Sequence, residues 1–299
     1  MSRIRYIVNP AAYGGKSLTA WDEFLQMWPG KVEEKEVQLT NEPGHARELA
    51  AVAGDYEIIV AVGGDGTVSE ILSGIMALSQ PRPKLAIIPA GTGNDTARNV
   101  GINSVVDSIA ALQKRSKKAF DLIRVECEVN GGIVDRYGFI SGNAGFSALR
   151  MLRPWMKRIL GSKFAYYLSL VLGILVYHPP EMKVTCENNE YSGGIWTVLI
   201  ANSERAGGNS MCVGPGALVD DGEFNVTIIP AQSRLSIFSK LPRFASGTHV
   251  DEAEISYFAA KKITVQSAPA VGLEIDGDIF GTTPATFTIC PGAAVILSP

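Results

Sequence analysis

Residues 61–70 read Ala61-Val62-Gly63-Gly64-Asp65-Gly66-Thr67-Val68-Ser69-Glu70. The preceding run, Glu57-Ile58-Ile59-Val60-Ala61-Val62, is short, apolar and rich in β-branched residues, the pattern of a buried strand. Beyond it Val68, Ile71, Leu72 and Ile75 recur at helical spacing. A strand that ends in glycines and passes directly into a helix gathers backbone N–H groups and a positive helix end at one point. Gly63, Gly64 and Gly66 let a ligand approach the backbone with no Cβ in the way. Asp65 inside such an anion site repels phosphate by itself and makes sense once a Mg²⁺ ion bridges the two. The same residues also suit a plain tight turn, since Gly-Gly and Asp-Gly pairs are common there.

A second motif favours the ligand site. Lys84-Leu85-Ala86-Ile87-Ile88 reads as another buried strand, followed by Pro89-Ala90-Gly91-Thr92-Gly93-Asn94-Asp95. A third strand, Ile4-Arg5-Tyr6-Ile7-Val8, leads into Asn9-Pro10-Ala11-Ala12-Tyr13-Gly14-Gly15-Lys16. Glycines, hydroxyls and carboxylates thus collect at the carboxyl ends of strands, the edge where ligands bind in open α/β sheets.

Helical patterns over residues 17–28, 44–53, 67–79 and 104–114 alternate with these strands, which predicts a parallel, doubly wound sheet over residues 1–120. From Asp121 the texture changes. Residues 122–129, 136–141, 194–201, 223–229, 262–265 and 273–275 read as strands with few helices between them, an antiparallel β-sandwich over residues 121–285. The expected fold class is therefore α/β plus β.

The three glycine motifs together resemble the catalytic domain of the diacylglycerol kinase and sphingosine kinase superfamily, in particular its soluble bacterial lipid-kinase branch. That family has an NP-x-(A/S)-G-x-G-K element, a GGDGT element and a GTGND element in this order. The likeness continues through Asp121-Leu122, Asp220-Asp221-Gly222 and Asp276-Gly277-Asp278. It implies a phosphofructokinase-like nucleotide fold in the first domain, with the last strand, within residues 286–299, returning to it. It also implies ATP across the GGDGT turn, contacted by Gly63, Gly64, Asp65, Gly66, Thr67, Val68 and Ser69, with Asn9, Thr40 and Thr92 as further nucleotide contacts. Thr40 suits a helix N-cap as well, and Lys16 is either a phosphate partner or a solvated lysine.

Asp65, Asp95 and Asp121 resemble the carboxylates used around the catalytic Mg²⁺, and Asp278 stands where the family has the glutamate base of a DGE element. That carboxylate is one methylene shorter here, and Asp276-Gly277 also reads as a hairpin turn. The likeness implies a second, structural Mg²⁺ held by Asp221 with oxygens of Leu218 and Glu223. A further departure is Ser147, where the family has an aspartate in G-x-G-F-D-A.

The chain of 299 residues is 46% hydrophobic with a net charge of −3, so it can bury a large core and shows no basic field for nucleic acid. Mean hydropathy is +0.13 and the isoelectric point is near 5.7. Cys127, Cys186, Cys212 and Cys290 show no CxxC spacing, as in reduced cytosolic proteins, and the start leaves no room for a signal peptide. His45, His178 and His249 are too scattered for a zinc site.

Residues 150–180 carry Arg150, Arg153, Lys157, Arg158 and Lys163 with no acidic residue, beside Trp155 and an apolar run over 164–177. That run is shorter than the ~20 residues of a membrane span. It reads either as an interfacial helix on an anionic membrane or as part of a buried helix pair. The expectation is thus a cytoplasmic, peripherally membrane-associated lipid kinase that uses ATP and Mg²⁺; a homodimer is compatible with it. The rivals are an NAD kinase, which shares GGDGT, and a nucleotide-binding regulatory protein that has lost catalysis.

Overall fold

The computed structural model describes residues 3–129, 131–147, 156, 159–187 and 189–299. Strands β1 (Ile4–Val8), β2 (Val37–Leu39), β3 (Ile58–Gly63) and β4 (Lys84–Pro89) pair in parallel in the order β2-β1-β3-β4. Every residue of β3 is buried, because helices cover both faces of the sheet. On one side α1 (Ser17–Met27) lays Trp21 and Phe24 against Tyr6. On the other α2 (His45–Ala51) packs on α3 (Asp65–Met76) so closely that a Cβ at Gly74 would lie 2.4 Å from the Arg47 carbonyl. The short α4 (Asp95–Asn99) and α5 (Val105–Lys114) follow β4. The registers Val8↔Val62 and Val62↔Ile88 align the carboxyl ends of β1, β3 and β4, which brings the three glycine motifs to one edge.

The chain then runs through β5 (Ser116–Val129), β6 (Gly132–Gly138), β7 (Ser141–Gly145), α6 (Ser162–Val176), β8 (Glu181–Cys186) and β9 (Asn189–Ala201). A small hairpin, β10 (Arg205–Ala206) and β11 (Met211–Cys212), precedes β12 (Phe224–Pro230), α7 (Arg234–Ser246) and β13 (Ser256–Ala260). The last strands are β14 (Lys262–Ala268), β15 (Gly272–Ile275), β16 (Asp278–Thr282) and β17 (Ala285–Ser298). Antiparallel pairing dominates here, and two layers enclose a core of Ile123, Val125, Val184, Val198, Val226, Ile263 and Phe287, among others. β17 runs along β5 from Ala285↔Cys127 to Ser298↔Ser116, and its far end pairs in parallel with β4 at Ile296↔Leu85. One hydrogen-bonded sheet therefore continues from the first layer system into the second.

α6 falls on the apolar run over 164–177 that reads as a helix, whereas α7 exceeds the reading of the second half as strands with few helices between them. α7 is Ser-rich and contains Pro242, so its sequence hides a helix that Ser233 caps by accepting from the Ser236 amide at 3.2 Å. With α6 it packs on the outer face of the sandwich around Ile174, Trp196, Ile229, Ile237 and Ile255. Arg150, Arg153, Trp155, Lys157 and Arg158 lie outside the described residues, as does the side chain of Lys163.

Candidate active site

Asp65 is the first residue of α3, at the end of β3. A helix start leaves its first N–H groups without intrahelical partners, so a cluster of donors faces the strand edge here. The GTGN loop lies directly against it: a Cβ at Gly91 would come 2.4 Å from the Gly64 Cα, so the two backbones meet where neither tolerates a side chain. Asn94, in a left-handed conformation, closes that loop by accepting from the Gly91 amide at 2.8 Å and donating to the Gly91 carbonyl at 3.1 Å. Asn9 donates to Thr67 Oγ1 at 2.9 Å, and its own backbone amide bonds the Val62 carbonyl, so it is fixed beside the GGDGT turn. Thr40 is buried next to the end of β1, with its amide donating to the Val8 carbonyl. Gly44, not Thr40, is the N-cap of α2, and no side chain caps that helix.

Within GGDGTVS the side chains divide. Val68 is in the core, and the Ser69 hydroxyl donates to the Tyr137 carbonyl of β6 at 3.0 Å. Their side chains thus serve packing and the junction with the second half of the chain, which leaves only their backbone for a ligand. Lys16 is exposed over the Tyr13 ring, 4.8 Å from its centroid. Thr92 lies on the same loop, next to Gly93.

The carboxylates divide as well. Asp65 Oδ1 accepts from the Thr96 amide at 2.8 Å, while Oδ2 has no hydrogen-bonding partner among the described residues and lies 2.7 Å from where a Cβ at Gly93 would stand. Asp95 is buried. It accepts from the Gly208 amide at 2.8 Å and the Asn209 amide at 3.0 Å in the β10–β11 turn, and it pairs with Arg98. Asp121 is buried too, with Oδ2 held by the Gly222 amide at 2.6 Å and Oδ1 by the Gly292 amide at 2.7 Å. Both residues thus accept from distant backbone amides and join segments, and Asp95 Oδ2 also lies 3.4 Å from where a Cβ at Gly93 would stand, beside Asp65 Oδ2.

Asp276 and Asp278 come from the β15–β16 turn. Asp276 adopts φ +46 and accepts from three consecutive amides, Phe139 at 2.6 Å, Ile140 at 2.8 Å and Ser141 at 3.0 Å. Burial nevertheless pushes its carboxyl up to about 7, and the charge of Asp65 adds to the rise. Asp278 opens β16 on the other side of the turn, and both of its oxygens lie 3.9 Å from where a Cβ at Gly66 would stand. The shorter side chain therefore reaches the GGDGT turn from the second half of the chain. Asp278 keeps some solvent contact, yet the surrounding protein raises its pKa, first by desolvation and then through Glu70, with Arg136 opposing. Arg136, Arg98, Glu70 and Asp276 were not among the site residues expected from sequence. Arg136 and Glu70 carry no motif signature, and only their convergence on Asp278 reveals them.

The proposed second metal site is an exposed turn. Asp221 Oδ1 accepts from the Glu223 amide at 3.1 Å, Leu218 is exposed, and Asp220 pairs with Lys118 at 2.8 Å. Among the described residues no group of three or more His, Cys, Asp or Glu side chains could hold a metal ion.

A parallel α/β sheet thus continues into an antiparallel sandwich, with carboxylates of both parts near the start of α3, an arrangement that suits a kinase. Residues 3–125 match the diacylglycerol kinase catalytic domain, and residues 143–298 match the YegS C-terminal NAD kinase beta sandwich-like domain. The chain belongs to this family of bacterial lipid kinases. It is 26% identical to a diacylglycerol kinase of Bacillus subtilis (strain 168), over 96% of this chain and 93% of that one. It is 31% identical to the "Probable lipid kinase YegS-like" protein of Stenotrophomonas maltophilia (strain K279a), over 76% and 74%. A diacylglycerol kinase structure from Bacillus anthracis superposes over 100% of this chain and 97% of that one, with a TM-score of 0.75 at 24% identity, and so shares the fold. Yeast NADH kinase superposes with a TM-score of 0.53 at 12% identity, over 100% and 84%, which makes the NAD kinase rival a distant likeness of fold.

Proposed function

We propose that this chain is an ATP- and Mg²⁺-dependent lipid kinase that phosphorylates a hydroxyl of a diacylglycerol-like lipid in the groove between residues 1–120 and 121–285. The observation that carries the reading is Asp278, delivered by the sandwich to within reach of Gly66 at the start of α3. The residues present suit a Mg²⁺ ion, which takes hard oxygen ligands: Asp65 Oδ2 is unpartnered among the described residues in a notch that only glycine at 93 leaves open, and Asp95 Oδ2 lies beside it. Bound there, the ion would neutralise phosphate charge, with Asp65 as its protein ligand. A second ion at Asp221, Leu218 and Glu223 remains part of the same reading.

In this mechanism Asn9, Thr40, Thr92 and the backbone from Gly63 to Ser69 hold the nucleotide, and the first amides of α3 bind its phosphates. The acceptor hydroxyl oxygen attacks the γ-phosphorus, the bond to ADP breaks, and Asp278 takes the hydroxyl proton. A carboxylate with a raised pKa is a better proton acceptor than an ordinary one, provided the pH keeps it ionised. Asp276 fixes the turn from which Asp278 projects.

The acceptor lipid lies in a membrane, and α6 offers the surface to reach it. Phe164, Val171, Leu172, Leu175 and Val176 are exposed along one side of the helix, while Ala165, Ser169, Gly173 and Ile174 face inward. No helix among the described residues is long and apolar enough to cross a membrane. This supports peripheral contact from the cytoplasmic side, to which the basic residues over 150–163 add attraction for anionic lipid.

Labelled ATP supplied with dioleoylglycerol in anionic vesicles, with NAD⁺, or with no acceptor tests the reading. Label is expected in the lipid alone. Transfer to NAD⁺ without transfer to lipid, or nucleotide binding with no transfer, would overturn it.

A further inference from the structure

Arg136 is half-buried in β6, with Val125 of β5 as its cross-strand partner. Partners across a ladder share a face, so Arg136 lies on the inner side of its layer, where Val125 is core. Asp278 and Phe280 lie on the inner side of the other layer, because their partners Ile275 and Leu273 are core as well. The two layers close on each other here: a Cβ at Gly138 would run into Ile275, and one at Gly281 would stand 2.6 Å from Cys127 Sγ. β6 and β16 are both edge strands. The Arg136 guanidinium therefore sits at the open edge of the sandwich, 6.0 Å from the Phe280 ring and on the side of Asp278, whose oxygens reach toward Gly66 at the start of α3.

The charge is poorly compensated there. Neither the Arg136 side chain nor that of its neighbour Arg47, on α2, has a hydrogen bond or ion pair among the described residues. Burial and the repulsion of Arg47 lower the pKa of the Arg136 guanidinium, against the pull of Asp278 and Glu70. A partly desolvated cation without a contact partner gains more from an incoming anion than a solvated one does.

We infer that Arg136 grips the γ-phosphate of ATP and stays with it through transfer, its N–H groups donating to the phosphoryl oxygens while the acceptor oxygen bonds to phosphorus and the bond to ADP breaks. The inference rests on the lipid kinase reading. In that reading the phosphorus lies between the first amides of α3 and the hydroxyl that Asp278 deprotonates, and Arg136 flanks Asp278 there. The planar fork of a guanidinium matches two phosphate oxygens at once. ADP has no phosphate at that position, so the contact separates the two nucleotides.

The test measures Kd for ADP and for the non-hydrolysable ATP analogue AMP-PNP, each with Mg²⁺ and the full chain, and kcat on dioleoylglycerol in mixed micelles. The readout is the ratio of Kd for ADP to Kd for AMP-PNP. Arg136→Gln and Arg136→Met, which remove the charge, should lower that ratio by about tenfold and leave ADP affinity within about twofold of the parent. Their kcat should fall by about a hundredfold or more, since a donor aimed at the phosphoryl oxygens acts most in the transition state. Retained ADP binding shows that a variant is folded. A ratio within about twofold of the parent in either folded variant would overturn the inference and leave the kinase reading standing, because an arginine that only tunes Asp278 or holds β6 does not alter the preference between nucleotides. Loss of ADP binding in both variants would assign Arg136 to the fold and overturn the inference as well. A parent that binds nucleotide and transfers nothing to lipid would overturn the kinase reading, and the inference with it.

Discussion

Replacing Asp276 with asparagine removes one ionisable carboxyl from the junction while preserving its shape and its tolerance of a left-handed backbone. The carbonyl oxygen of the new side chain can keep the Ile140 and Ser141 amides, and the amide of Phe139 then loses its acceptor. That orphaned donor should cost about 1–3 kcal/mol at any pH. The pH-dependent part has the opposite sign from that of most carboxylates. The folded state raises this carboxyl from 3.8 to about 7, so between those values the folded protein binds the proton that the unfolded chain has released. Its contribution is fully present below the unfolded pKa and is lost as pH rises through the folded one. From about pH 5 to about pH 8 the linkage amounts to roughly 2–3 kcal/mol of stability lost by the parent and not by Asp276→Asn. Urea unfolding of both proteins across that range, with chelator present, gives the difference curve, from which all other titrating groups cancel. The gap between parent and variant should narrow with rising pH. A flat difference, or a gap that widens toward alkaline pH, would refute the claim that burial outweighs the three amides.

Asp278→Asn should lower kcat by about 10²–10⁴ with little change in nucleotide affinity, since a general base acts in the transition state, and Asp278→Glu should remain active; near-parental kcat in the asparagine variant, by steady-state assay, would remove Asp278 as base. Burial lowers the pKa of His249, which stacks on Phe244 at 4.2 Å, and outweighs the opposing pull of the Arg243 backbone and the Asp251 charge. The unfolded chain takes up a proton near pH 6.5 that the folded protein refuses, so stability should fall below that pH by at most about 1.4 kcal/mol per unit. His249→Leu should flatten the slope in the same unfolding series, and an unchanged slope would place the acid sensitivity elsewhere.

The strands of the nucleotide edge were legible because their signal is local. Residues 58–62 and 85–88 are continuous apolar runs followed closely by glycines, and a strand buried on both faces has no other pattern to show. A helix directly after the turn followed from the same stretch, read from Thr67; the structure starts it two residues earlier, at Asp65. α7 was not legible, because its buried residues are sparse and Pro242 interrupts the helical spacing. Its stability comes from packing on a sheet surface assembled from β9 and β12, which no window of sequence contains.

The aspartates show why motif spacing alone could not assign roles. Asp65, Asp95, Asp121, Asp276 and Asp278 stand in equally good motifs, and their side chains are chemically identical. What separates them is the supply of amide donors, and those donors lie far along the chain. Asp95 meets amides 113 and 114 residues away, Asp121 meets them 101 and 171 residues away, and Asp276 meets them 135 to 137 residues away. A carboxylate whose oxygens are filled by backbone N–H groups is well suited to fixing two segments together and poorly placed to accept a substrate proton. Asp65 retains one oxygen unfilled among the described residues, and Asp278 has no hydrogen bond to any of them. On the proposed reading chemistry falls to these two residues with unspent acceptors, one from each half of the chain. Of the other three, Asp95 ties the first half to the β10–β11 turn, while Asp121 and Asp276 fix segments of the second half and the returning strand.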